Sequence, residues 1–118
     1  MIAKISRALA WAFAAAIVAL SVVPPSLRPV TDLPHGVEHF AAFVLCGLAF
    51  GLGYRTATLI EGAALVAFAG AVELVQLLAP GRHARLIDFV VDAVAICVGL
   101  LIGRAVSRVA ADRQRKQV

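Results

Sequence analysis

Residues Ala71–Asp92 read AVELVQLLAPGRHARLIDFVVD. An apolar segment carrying Glu73 and Gln76 runs into the turn Pro80-Gly81-Arg82, and a second apolar segment follows with Asp88 and Asp92. A soluble helix would gather such groups on one wet face. Here the neighbours are apolar on every side of the helix, which points to a bilayer. A carboxylate at the centre of a membrane helix costs roughly 2.5 to 3.5 kcal/mol on insertion scales, so these groups must face a bundle interior or water and find partners.

The rest of the chain agrees with that solvent. Of its 118 residues, 62% are apolar, against roughly 45 to 50% in soluble domains. The mean hydropathy is +0.94. The formal charge of +4 and pI near 9.8 raise the question of nucleic acid, but no basic patch is interleaved with aromatics. The basic residues instead sit at the ends of apolar runs. Cys46 and Cys97 each lie inside such a run without metal-site spacing, so they read as small buried hydrophobes.

Four membrane-spanning helices are expected, at about 5–23, 34–54, 59–79 and 86–107, in one membrane domain over 1–118. The first follows Lys4 and precedes Pro24-Pro25, with Trp11 near an interface. Its apolar run exceeds the usual signal-peptide core of about 7 to 15 residues, which favours a retained helix over a cleaved signal. Pro34 suits the first turn of the second helix. Thr58-Leu59-Ile60-Glu61 matches a capping box, giving Glu61 a local role at the start of the third. Pro80-Gly81 ends the third, and the brief link makes the third and fourth antiparallel neighbours. Gly47-Leu48-Ala49-Phe50-Gly51 and Gly99-Leu100-Leu101-Ile102-Gly103 are both GxxxG, a pattern that lets backbones approach closely. Residues 108–118 form a basic tail, a solvated helix end suited to anionic lipid.

With four spans, both termini and the second loop share one side. That side holds Lys4, Arg7, Arg55, Arg104, Arg108, Arg113, Arg115 and Lys116, against Arg28, Arg82 and Arg85 on the other. The positive-inside rule then makes both termini cytoplasmic. All the unusual polar groups converge on the outer end: His35, Glu38 and His39 on helix two, Glu73 and Gln76 on helix three, Arg82 in the turn, and Asp88 and Asp92 on helix four. The inner half is expected to hold glycine, alanine and aliphatics.

Glu73-x-x-Gln76, then Pro80-Gly81-Arg82, then Asp88 six residues after the arginine, with His39-Phe40 opening the preceding helix, resembles the VanZ-like family of small bacterial membrane proteins. The resemblance covers about residues 30–105. Departures are His35-Gly36 where the family has Asp-Lys, Asp92 for Asn, Ala95 for Gly and Arg85 for Ser. The resemblance implies a cell-envelope setting and an association with resistance to the glycopeptide teicoplanin. It implies no reaction.

His39, Glu73, Gln76, Arg82, Asp88 and Asp92 are therefore the candidate site. One reading is an outward-facing pocket for an envelope-lipid or glycopeptide-related ligand, with arginine taking phosphate and His39 and the carboxylates supplying polar contacts. A membrane-embedded hydrolase acting on a lipid-linked or phosphate-bearing substrate is a second. A proton or ion relay is a third, opposed by the apolar inner half. The structural alternative is a self-neutralising cluster in a helical scaffold or partner subunit, with Arg82 paired to Glu73 or Asp88. Enzyme activity is left open. No HExxH-like signature is present, so no metal or cofactor is expected, nor any nucleic acid. The bilayer is the expected surrounding, and a homo-oligomer stays open.

Overall fold

The computed structural model describes residues 1–23, 35–54, 58–78 and 86–118, and the described chain is helical throughout. Helix α1 spans Ile2–Val22, α2 His35–Gly53, α3 Thr58–Leu78 and α4 Leu86–Lys116. The expected all-α bundle of four helices is what forms. α1, α3 and α4 are long and apolar enough to cross a membrane, whereas the apolar part of α2, Val37–Gly53, is shorter.

α4 continues past the expected span end near residue 107 to Lys116, so the basic tail is the solvated end of this helix. Polarity does not end a helix. Arg104–Lys116 contains no proline or glycine, and its Arg113, Arg115 and Lys116 sit in the last turn, where cations favour the helix dipole.

The burial pattern is the inverse of a soluble protein's. Leu59, Ile60, Leu74, Leu78, Leu86 and Ile87 are exposed, while Ser21, Glu61, Glu73, Gln76, Asp92 and Arg104 are buried. Water would reject so continuous an apolar exterior, and hydrocarbon accepts it. The apolar helices and their apolar exterior fit a chain inserted in a bilayer.

α2 and α4 run parallel, and their two glycine pairs face one another. A Cβ on Gly47 would overlap the Ile96 carbonyl oxygen, and one on Gly99 would overlap that of Val44. Only glycine permits this approach. α3 lies antiparallel to α4, as expected from the short link. Phe43, Cys46, Ala95, Ile96 and Leu100 fill the buried centre, joined by Ala10 and Ala14 of α1 and Leu65 and Ala69 of α3.

The end of the bundle near Met1 is tied by side chains onto the last turn of α2. A helix C-terminus leaves four carbonyls without intrahelical partners. Arg7 Nε of α1 donates to Gly53 O at 2.7 Å, Ser107 Oγ donates to Gly51 O at 3.4 Å, and Arg104 Nη1 donates to Tyr54 O. Arg7 also lies 5.0 Å over the Tyr54 ring, whose hydroxyl accepts from Trp11 Nε1 at 2.8 Å. This Trp-Tyr-Arg group suits a membrane–water boundary. Arg7→Ala is expected to cost about 1 to 2 kcal/mol, from one charge-assisted hydrogen bond and one cation–π contact. Thermal unfolding in detergent micelles checks it.

Candidate functional site

Three of the six expected residues meet near the opposite end of the bundle. His39 is in the second turn of α2, Glu73 in the penultimate turn of α3 and Asp92 in the second turn of α4. α4 packs against both α2 and α3, which brings the three helices together there. His39 Nε2 lies 3.3 Å from Asp92 Oδ2, but Asp92 Oδ2 receives no aligned hydrogen bond. The pair is thus an electrostatic contact more than a directed one. One ligand atom from each of His39, Glu73 and Asp92 lies within 4.8 Å of the others.

Burial sharpens the problem these groups pose. Asp92 is 1% exposed and Glu73 is 7% exposed. Both Glu73 carboxylate oxygens are buried, and neither accepts a hydrogen bond from any described residue. Burying polar oxygens without partners is costly, and more so when they are charged. The His39 ring also packs on Phe43, with centroids 5.2 Å apart, which holds the imidazole against the core.

The remaining candidates are placed apart. Gln76, one turn beyond Glu73, turns to α1: its Nε2 donates to Ser21 Oγ at 3.4 Å, while Ser21 Oγ donates to Ile17 O at 2.6 Å. Gln76 therefore fastens α3 to α1. Asp88 is exposed in the first turn of α4, where a carboxylate favours the helix dipole. Arg82 lies outside the described residues, as do His83 and Arg85.

Beside Glu73, an open groove of about 570 Å³ runs between α3 and α4. Ala67, Gly70, Ala71, Leu74, Leu77 and Phe89 give it apolar walls, and among the described residues Glu73 is the one acidic group that lines it. Phe89 packs against Gly70, where an added Cβ would make ordinary van der Waals contact at 3.4 Å from Cε2.

No protein-family model, curated protein or solved structure matches the chain. The site has to be read from its own geometry.

The expectation that the half of the bundle nearer the termini holds only glycine, alanine and aliphatics is overturned. Arg104 Nη2 there donates to Glu61 Oε2, forming a buried ion pair between α4 and α3. Glu61 therefore looks across the bundle, and its other oxygen, Oε1, has no hydrogen-bond partner among the described residues. The signal for this pair was present as spacing. Glu61 precedes Glu73 by twelve residues and Arg104 follows Asp92 by twelve, so an antiparallel register that aligns one pair aligns the other.

Proposed function

We propose that this is a bacterial envelope membrane protein whose outward-facing site receives an amphipathic ligand, its chain in the α3–α4 groove and its polar head beside His39, Glu73 and Asp92. The supporting observation is that Glu73 belongs both to the apolar groove and to the buried polar cluster. A lipid-linked envelope precursor has that combination of chemistries. The Lys and Arg asymmetry of the sequence supports cytoplasmic termini and a site in the outer leaflet. The resemblance to VanZ-like proteins supports a link to glycopeptide sensitivity.

Filling the groove tests the reading. Ala71→Phe is expected to weaken retention of a radiolabelled polyprenyl phosphate on the micelle-purified protein at least tenfold, with helical content unchanged. Retention no greater than that of empty micelles, or equal retention by a folded Ala71→Phe variant, sinks the proposal. The hydrolase reading draws on the contact between His39 and Asp92, since a carboxylate beside an imidazole orients a general base. Release of inorganic phosphate from the same probe, lost in Asp92→Asn, is the result that reading requires.

A further inference from the structure

We propose that His39, Glu73 and Asp92 form a binding site for one divalent transition-metal cation. The three side chains come from three different helices, and their ligand atoms lie within 4.8 Å of one another. That convergence is hard to attribute to local sequence, because nothing in one helix dictates it. A tetrahedral ion with bonds of about 2.0 to 2.2 Å sets its ligands roughly 3.4 Å apart. Side-chain movements of up to about 1.4 Å close the difference.

Charge balance gives the second argument, independent of proximity. Glu73 and Asp92 bring two carboxylates together where they are 7% and 1% exposed, beside an imidazole whose side chain is 24% exposed. Such a group must be neutralised. A dication cancels both charges at once and supplies the partner that both buried Glu73 oxygens lack among the described residues. The described cations are elsewhere: Arg7 lies on the last turn of α2 and Arg104 on Glu61.

The donor set narrows the cation. One imidazole nitrogen with two carboxylates suits zinc, manganese or ferrous iron and disfavours soft ions such as cuprous copper. Three protein ligands leave a coordination position for water or a ligand group, the arrangement of non-structural sites. Glu73, shared with the groove, puts that position beside the apolar channel.

This site does not depend on the lipid reading, and its test uses no lipid. Protein purified in micelles with chelator, then desalted, is titrated with zinc and separately with manganese by calorimetry. One ion per chain is expected for at least one of the two metals, with affinity falling at least tenfold in Glu73→Gln and in Asp92→Asn. Glu38→Gln, on the same helix as His39 but outside the cluster, is expected to bind as the parent does. X-ray absorption of the loaded parent protein is expected to show nitrogen and oxygen ligands with an imidazole signature. Failure of the folded parent to bind either metal overturns the proposal. So does a shell without imidazole, or undiminished affinity in folded Glu73→Gln. If a variant fails to fold, the parent stoichiometry and ligand shell still decide the matter.

Discussion

Gly99→Leu is expected to abolish the packed α2–α4 pair. Even the first carbon of the new side chain would overlap the Val44 carbonyl oxygen, with Leu48 N 2.8 Å away. Those are backbone atoms of a helix, so no rotamer change relieves the overlap and the helices must part. Overpacking a core ordinarily costs about 1 to 3 kcal/mol, and a clash against rigid backbone belongs at or above the top of that range. Parting α2 from α4 also separates His39 from Asp92 and removes Arg104 from Tyr54 O. The expected result is a fall in melting temperature too large for the protein to be recovered folded at 37 °C. Gly62→Ala serves as the matched control, because its Cβ would meet only Leu100 Cδ2, at 3.6 Å. That variant is expected to be neutral or more stable by about 0.5 kcal/mol, since alanine is the better helix former. Equal stability of Gly99→Leu and the parent would mean that the glycine faces do not hold these helices together.

The glycine pairing shows how far the sequence could be read. Apolar runs gave the helices, the GxxxG pairs marked the close surfaces, and the short Pro80-Gly81 link made α3 and α4 antiparallel. Those features are local, or one step removed from local. Which GxxxG faces which partner was not readable, because any two small-residue faces fit alike. The site divided along the same line. Axial height follows from counting residues at about 1.5 Å each, so His39, Glu73 and Asp92 could be placed at one end. Azimuth could not, so Gln76 turned out to face Ser21 of α1 and Asp88 to stay exposed. Glu61 was misread for a different reason. A capping-box pattern is satisfied by four adjacent residues, and it hid the longer-range claim of Arg104 on the same carboxylate.

Glu61→Ala is expected to damage the protein far more than removal of both partners. In the parent, Arg104 donates to the Glu61 carboxylate and to the Tyr54 carbonyl at the negative end of α2. Both ion-pair side chains are largely buried, at 11% and 9% exposed. Taking charges out of water consumes much of what their attraction returns, so the intact pair adds little net stability. Losing one member leaves the other charge without its counterion and costs about 3 to 5 kcal/mol. Replacing both by apolar residues of similar size, Glu61→Leu with Arg104→Met, removes the desolvation cost along with the attraction. The loss then reduces mainly to the hydrogen bond to Tyr54 O, about 1.5 to 3 kcal/mol for a charged donor. The double variant should therefore unfold at a higher temperature than Glu61→Ala, a reversal of the order expected if mutations simply added. The measurement is a double-mutant cycle on thermal unfolding in micelles, with the parent, Glu61→Leu, Arg104→Met and the double variant as its corners and Glu61→Ala measured beside them. Additive losses would show that Glu61 and Arg104 are not coupled. Strong coupling would assign the terminal end of the bundle a structural lock, distinct from the polar cluster of His39, Glu73 and Asp92 at the other end.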